Sequence, residues 1–211
     1  MPRRMPKSHD ELRLDAIAAS RAMVEADGFS SVTVRRVADR IGCSIGSIYN
    51  LFRDLDDLII HVCAGTIDTA FEVMSADGLP DEPHERVHAM GRRYHDFVLA
   101  NKNLWFMLFE HRAHDGRDLP PWYAERVGKL LAYVHANVAP ALEKVPPDSR
   151  IDAVNTLWAG VHGIVTLGAQ GKLGIVTAAS AADCVRLMID MVLAGHDQPH
   201  VSFDGNGFGR L

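Results

Sequence analysis

Apolar residues recur along this chain at intervals of three and four, the spacing of one face of an α-helix. In the first segment Ala16, Ile17, Met23 and Val24 follow this spacing, with Ser20 on the same face. The alternating runs of β-branched residues that are typical of strands and hairpins do not occur. The pattern therefore predicts an all-α fold.

Capping residues divide the pattern into about nine helices. Serine, threonine and aspartate stand where helices begin, and glycine stands where two of them end. The caps are Ser8 with Glu11, Thr33, Ser44, Asp54 with Asp57, and Ser180 with Asp183, and the stops are Gly28, expected to be left-handed, and Gly42. Helices are expected over 9–27, 34–41, 45–51, 55–76, 83–100, 102–112, 121–143, 149–170 and 180–195.

Composition limits the class of protein. The chain has 211 residues, enough for a moderate domain and a small one, and is 47% hydrophobic. Its three cysteines lack the CxxC spacing of a cysteine zinc site, so we expect reduced thiols and a cytoplasmic protein. The N-terminus lacks the apolar segment of a signal peptide. Polar residues interrupt the most apolar stretch, 153–171, so we expect no contact with a membrane.

Charge is distributed unevenly. Residues 1–53 carry nine Lys and Arg against six Asp and Glu, a net charge of +3, whereas residues 54–211 carry 13 against 21, a net charge of −8. A weakly basic front on an acidic body indicates that only the front meets a polyanion.

Two short predicted helices, "VRRVADRI" and "IGSIYNLF", are joined by "GCS", with Gly42 at the corner. These are the dimensions of a helix-turn-helix, whose second helix enters the DNA major groove. The apolar positions would face inward, and they leave a polar outer face of Ser44, Ile45, Ser47, Tyr49 and Asn50. Serine and asparagine can bond base edges, the tyrosine hydroxyl a phosphate, and the isoleucine a thymine methyl group. The alternative is a tight helical hairpin inside a core, with Tyr49 half-buried.

The wider span 14–59 resembles the DNA-binding domain of the tetracycline-repressor (TetR) family. The matching pieces are "GF" at 28–29, "TVRRVA" at 33–38, "GCSIGSIY" at 42–49, Phe52 and the acids at 54–57. The resemblance implies that DNA, mostly phosphate, is contacted by Thr33, Arg35, Ser44, Ser47, Tyr49 and Asn50.

Two positions depart from the family pattern. Ile45 stands where a basic residue is frequent, and Leu55 stands where a phosphate-binding lysine is usual. We therefore expect weaker binding to the DNA phosphates than is usual in the family, and we expect Arg53 to offset part of this loss. The arm of Arg3, Arg4 and Lys7 either adds minor-groove or phosphate contacts or is a solvated tail.

The segment "LWAGVHGIVTLGAQGKL" (157–173) resembles the W-x3-H-G segment of one TetR C-terminal subfamily. Trp158 and His162 share a helix face and would line an effector pocket, or else pack in a core or an interface. Gly160 and Gly163 keep the helix thin, which suits the close helix approach of a dimer interface.

A dense aromatic helix, "NLWFMLFEHR" (103–112), stands among other Met and aromatic residues. Such side chains from several helices form either an adaptable apolar pocket or a filled core. The residues that we predict to bind a ligand are Phe71, Met74, Tyr94, Trp105, Phe109, Tyr123, Trp158 and His162.

Eleven histidines are many for this length. His84, His88, His95, His111 and His114 make a zinc or nickel site conceivable, but no HExxH motif is present, and we favour exposed, titrating histidines over a metal site. No arrangement of a catalytic triad or of a phosphate-binding loop is found. We therefore expect neither a cofactor nor an enzyme.

The sequence thus predicts a DNA-binding domain at 1–54, an effector-binding and dimerisation domain at 55–197, and a flexible tail at 198–211. The expected function is that of a one-component transcriptional regulator, a dimeric repressor that binds a palindromic operator and is released by a small apolar effector. The alternative is a helical carrier of hydrophobic molecules whose helix-turn-helix no longer functions. The effector and the operator sequence are not encoded in these patterns.

Overall fold

A computed structural model describes residues 7–111 and 118–194. In these two ranges the chain forms nine α-helices and no strand, which confirms the all-α prediction. The helices are α1 (His9–Asp27), α2 (Val34–Ile41), α3 (Ile45–Leu51), α4 (Leu55–Ser75), α5 (Pro83–Ala100), α6 (Lys102–Glu110), α7 (Pro121–Val138), α8 (Arg150–Ala169) and α9 (Ala181–Ala194). The expected flexible tail at 198–211 and the arm residues Arg3 and Arg4 lie outside the described residues.

Local capping explains where the first four helices begin. Ser8 and Glu11 form a complete capping box at the start of α1. The side chains of Thr33, Ser44 and Asp54 each accept a hydrogen bond from the backbone N–H three residues later, at 3.2, 3.0 and 2.8 Å. These bonds satisfy N–H groups that a helix start otherwise leaves unpaired.

Two sequence expectations need correction. Gly28 ends α1 with a positive φ of 82°, but its ψ of 171° is extended, so it does not have the left-handed helical conformation that we expected. Gly42 does have that conformation, with a φ of 72° and a ψ of 38°. Helix α7 ends at Val138 and a 3₁₀ turn continues through Leu142. Pro140 explains this end because it has no N–H to donate and its ring crowds the preceding turn.

The buried apolar residues form two clusters. The N-terminal core joins α1, α2 and α3 to the first half of α4, and includes Leu104 and Met107 of α6 and Tyr123 of α7. The C-terminal core joins the second half of α4 to α5, α7, α8 and α9. Because the N-terminal core draws on helices beyond residue 54, apolar packing does not divide there, and the 54/55 boundary stays a prediction.

Helix α4 passes through both cores. By length and composition alone its 21 residues could cross a membrane, yet half of the apolar window is buried inside the protein. The core helix of a globular protein passes the same test, so this composition follows from packing on two cores.

A polar network fixes the end of α3 against α1, α4 and α7. Arg13 donates to the Leu51 carbonyl at 2.5 Å and to Nε2 of His61 at 2.6 Å, and its guanidinium lies 4.7 Å above the Phe52 ring. The His61 ring in turn stacks on Trp122, with 4.7 Å between the centroids and 11° between the planes. Because a guanidinium can only donate, Nε2 must accept, and His61 is neutral in this arrangement.

Burial is the main cause that lowers the pKa of His61 below 6.5, and the charge of Arg13 adds to it. Asp57 opposes this shift, and Arg126 adds a smaller part. The folded protein therefore resists protonation of His61 more than the unfolded chain does. The resulting stability is complete above pH 6.5 and is lost as the pH falls through the lower pKa of the folded state.

We expect the substitution His61→Gln to flatten this pH dependence, since glutamine can still accept from Arg13 but does not titrate. Urea unfolding between about pH 7.5 and about pH 5.5, across the ordinary histidine range, measures the free energy of unfolding. The wild type should lose more stability on acidification than the variant, while His84→Gln, at an exposed position of α5, should follow the wild type. Parallel curves for wild type and His61→Gln would contradict the assignment.

Candidate functional site

Helices α2 and α3 are joined by a three-residue turn whose left-handed Gly42 sets the corner. Val37, Ala38, Ile48 and Leu51 are buried on the inner side of this pair. The buried residues of α2 and α3 belong to the same hydrophobic core as those of α1 and α4. The inner face of α3 therefore packs on this core, and its other face points outward.

All eight predicted DNA contacts lie on the outer surface. Seven are exposed and Ser47 is half-buried. Tyr49 is 54% exposed and Ile45 is 45% exposed, so the alternative of a half-buried Tyr49 inside a core is not what the structure shows. The eight residues are Thr33, Arg35, Ser44, Ile45, Ser47, Tyr49, Asn50 and Arg53.

Several of these side chains already have a partner. The Thr33 and Ser44 oxygens accept cap hydrogen bonds, and Ser44 Oγ also lies 2.9 Å from Ser47 Oγ. Arg53 Nε lies 3.5 Å from Asp54 Oδ2. A hydroxyl that accepts from the backbone can still donate its own hydrogen to a phosphate. The capping residues can therefore serve the fold and a phosphate at once.

The two departures from the family pattern have a structural setting. Leu55 is partly buried and packs against the N-terminal core at the start of α4, where an apolar side chain adds to the buried surface. Ile45 stays exposed at the start of α3. The structure therefore gives a packing reason for Leu55 and leaves Ile45 for an apolar partner.

A second feature is a partly open cavity of about 590 Å³ among helices α4 to α9. Its described lining is apolar and aromatic, apart from the polar atoms of Tyr94, Trp105, Tyr123, Asn155 and Trp158. None of the described lining residues is Lys, Arg, His, Asp or Glu. A cavity of this size and character suits a small, largely apolar molecule.

Of the eight predicted ligand residues, six line this cavity: Met74, Tyr94, Trp105, Phe109, Tyr123 and Trp158. His162 lies behind Tyr94 and stacks on Trp158, with 5.1 Å between the ring centroids. Phe71 departs from the expectation. It is not among the lining residues and packs edge-on against Tyr133, with Lys129 Nζ 4.1 Å from its ring centroid.

One corner of the cavity is polar. The Tyr94 hydroxyl lies 2.6 Å from Nδ1 of His162, and Thr166 Oγ1 lies 3.4 Å from its Nε2. Burial raises the pKa of Tyr94 and lowers the pKa of His162, so both groups are neutral at neutral pH. The nearby Trp105 N–H opposes the rise in the Tyr94 pKa without reaching hydrogen-bond geometry.

The cavity shares a wall with the N-terminal core. Tyr123 belongs to that core and also lines the cavity, and Leu108 and Val127 pack against the core from the same wall. The neighbouring Trp122 stacks on His61, which accepts from Arg13. A molecule in the cavity therefore touches residues that also pack against the core of α1, α2 and α3.

Sequence reasoning missed this wall and the Arg13–His61–Trp122 network. Their members stand up to 109 positions apart, and no local pattern indicates that they meet. Leu108, Val127 and Asn155 also line the cavity, yet they are ordinary helix positions in the sequence.

Helices α8 and α9 pack together and leave an apolar outer groove. Leu187 and Met191 of α9 are 57% and 62% exposed, and the groove beside Met191 includes Gly160 and Met188. A Cβ atom at Gly160 would stand 2.9 Å from Met188 of the same chain, whereas one at Gly163 would meet nothing within 4 Å. Gly160 therefore serves packing inside the subunit, and Gly163 faces outward.

The candidate histidines do not converge. His88 pairs with Asp190 at 3.0 Å, His95 with Asp96 at 2.9 Å, and His111 with Asp56 at 3.6 Å. Within residues 7–111 and 118–194, no group of three or more His, Cys, Asp or Glu side chains could hold a metal ion. His114 lies outside the described residues.

Comparison with solved structures supports the fold. A protein of unknown function from Rhodococcus sp. RHA1 has a TM-score of 0.73 at 20% identity, covering 92% of this chain and 98% of that one. A TetR transcriptional regulator from Rhodococcus sp. RHA1 has a TM-score of 0.60 at 17% identity, covering 91% and 100%. BioQ, solved with its natural double-stranded DNA operator, has a TM-score of 0.60 at 16% identity, covering 86% and 98%. No curated protein matches the sequence.

Two family comparisons cover the two halves of the fold. Residues 16–62, which hold most of α1, all of α2 and α3, and the start of α4, match the bacterial regulatory proteins of the tetR family. Residues 87–192, half of the chain, match the tetracyclin repressor-like C-terminal domain. With the helix-turn-helix and the all-α body both in place, the chain belongs to the TetR family of transcriptional regulators.

Proposed function

We propose that this TetR-family regulator is a homodimeric repressor that a small apolar effector releases from a palindromic operator. Proteins of this family bind DNA and are not enzymes. The single observation that carries the effector part of the proposal is the wall shared by the cavity and the N-terminal core, centred on Tyr123. A cytoplasmic location follows from the role.

In this proposal the outer face of α3 lies in the major groove. Tyr49 and Ser44 contact phosphate, Asn50 reaches a base edge, and Ile45 contacts a thymine methyl group. Their joint exposure on one short helix supports this assignment. Thr33, Arg35 and Arg53 flank α3 with further donors for the DNA backbone.

The dimer forms in this proposal through α8 and α9, which make a four-helix bundle with their copies in the partner subunit. Exposed apolar side chains on α9 and the open Gly163 on α8 support this seam. A two-fold dimer must place the two α3 helices about 34–36 Å apart, one turn of DNA, or a multiple of it.

The effector is proposed to act by selecting one of two spacings of the α3 helices. A ligand shifts such an equilibrium only by its difference in affinity for the two forms. The path that the geometry supports runs from Tyr123 and Trp122 in the first turn of α7, through His61 of α4 and Arg13 of α1, to the Leu51 carbonyl. We also assign segment 157–173 to the W-x3-H-G group, because Trp158 lines the cavity and stacks on His162.

A carrier of hydrophobic molecules is the competing function, and the acidic body and Leu55 favour it mildly. Binding to DNA from upstream of the chain's own gene separates the two, because neutralised phosphates release counterions and make affinity fall steeply with salt. A repressor shows this slope, and a carrier shows none.

The first prediction concerns α3. Asn50→Ala should relax discrimination at one base pair by about 1–3 kcal/mol, whereas Tyr49→Ala should weaken all sequences alike. Gel shifts on the operator and on single-base variants measure both effects. Gln170→Ala, an exposed amide at the end of α8, is the matched control and should bind as the wild type does. Wild-type affinity in both α3 variants would show that this helix does not read DNA.

The second prediction concerns assembly. Leu187→Glu should place a carboxylate in the α8–α9 seam, where no partner compensates its lost hydration, and should yield monomers that lose operator binding. Sedimentation reports the mass, and Leu99→Glu, an exposed leucine of α5, should remain a dimer. Gly163→Leu should act like Leu187→Glu. If both seam variants sediment as dimers, the interface lies elsewhere.

The third prediction concerns coupling. Hydrophobic compounds that change tryptophan emission should lower the affinity of the protein for its operator, by about 5- to 150-fold. Operator DNA should lower the affinity of the protein for those compounds by the same factor. Trp122→Leu removes the stack on His61 from outside the cavity lining, so it should reduce that factor while leaving ligand affinity near the wild-type value. Trp158→Leu, inside the cavity, should instead change ligand affinity. Compounds that bind without any effect on operator affinity would show that the cavity is not coupled to DNA binding.

A further inference from the structure

The indole N–H of Trp105 has no hydrogen-bond acceptor among residues 7–111 and 118–194. Its nitrogen is buried without a hydrogen bond to any described residue, although the Trp105 side chain, 3% exposed, lines the cavity. Three aromatic rings hold the indole in place edge-on, those of Tyr94, Phe97 and Phe109, with centroids 5.6, 5.4 and 5.5 Å away. Buried donors are nearly always paired in folded proteins, so a donor fixed beside a cavity calls for an acceptor.

The neighbouring polar pair does not supply that acceptor in either of its arrangements. If Tyr94 donates to Nδ1 of His162, then Nε2–H points to Thr166; if Nδ1–H donates to the Tyr94 oxygen, then Thr166 donates to Nε2. In both cases His162 is fully engaged and the Trp105 N–H remains unpaired. The Tyr94 oxygen keeps a free lone pair in either arrangement, but it does not reach hydrogen-bond geometry with the Trp105 N–H.

The rest of the cavity limits the charge of what can bind. None of its described lining residues is charged, and the side-chain oxygen of Asn155 already has a partner, since His135 Nε2 lies 2.8 Å from Asn155 Oδ1. A carboxylate or an ammonium group would lose its hydration without gaining a counter-charge. A neutral acceptor is the chemistry that fits.

We propose that the corner formed by Trp105, Tyr94 and His162 binds one neutral oxygen, a carbonyl or a hydroxyl, of an otherwise apolar ligand. This inference rests on the proposed function, because it takes the cavity to be the effector site. The oxygen accepts from the Trp105 N–H, which is covered in the free protein. Ligand binding therefore requires a shift of the side chains that cover the indole nitrogen, while Tyr94 keeps His162 as its partner.

Matched compounds test the proposal on the full-length dimer. Two sets keep the skeleton and change the polar group: octane, octan-2-one and octanoate, and 2-ethylnaphthalene, 2-acetylnaphthalene and 2-naphthoate. Equilibrium dialysis gives each dissociation constant, and the quantity compared is the ratio of ketone affinity to hydrocarbon affinity. Trp105→Phe should lower this ratio about 3- to 10-fold, the usual range for one net hydrogen bond. Tyr133→Phe removes a hydroxyl outside the cavity lining and should leave the ratio unchanged.

Hydrocarbon binding by Trp105→Phe shows that the variant retains its cavity. If that variant does not fold, the wild type supplies a second readout, since the ¹⁵N–¹H signal of the Trp105 indole should move with the ketone and not with the hydrocarbon. An unchanged ratio, or an indole signal that ignores the ketone, overturns the oxygen subsite while the apolar cavity stands. If octanoate and 2-naphthoate bind more tightly than the matching ketones, the proposal that the ligand is neutral is wrong. Failure of all six compounds to bind removes the effector cavity and the subsite together.

Discussion

The structure depends on one rigid helix that belongs to two hydrophobic cores. Helix α4 runs for 21 residues, a length of about 31 Å at the usual rise. Its first half packs with the DNA-reading helices and its second half with the cavity helices. Three residues, 52–54, separate it from α3, and one of them, Phe52, is buried. A change in packing at the far half of α4 therefore bears directly on the position of α3.

A second connection runs beside α4 through the first turn of α7. There Tyr123 is part of the N-terminal core and of the cavity wall, while the adjacent Trp122 stacks on a neutral His61. Arg13 binds His61 and the last carbonyl of α3 at once. Packed, hydrogen-bonded contacts of this kind move between discrete arrangements rather than bending smoothly.

The sequence predicted the helices well because their starts depend on local chemistry. The side chain of a capping residue such as Thr33 or Ser44 accepts a hydrogen bond from the backbone N–H three residues later. Both partners are close in the sequence, so the sequence alone predicts where the helix begins. The outward face of α3 followed from the same local spacing. The prediction for α7 was wrong at its end, because Pro140 lacks the N–H that would continue the helix beyond Val138.

Contacts between distant segments were beyond the reach of spacing rules. Gly160 turned out to face α9 of its own chain, and Phe71 lies off the cavity, since both placements depend on how helices rotate against each other. The Arg13–His61–Trp122 network has no sequence pattern at all. An indole nitrogen without an acceptor, such as that of Trp105, is visible only once every neighbour is in place.

Amide hydrogen exchange on the operator-free protein, with and without a compound that binds the cavity, tests the central claim most directly. The account predicts that the ligand changes exchange in α5, α7 and α8 around the cavity and also in α3 and the first turn of α4. Changes confined to the cavity helices, with α3 exchanging as in the free protein, would contradict the coupling between the cavity and the DNA-reading surface.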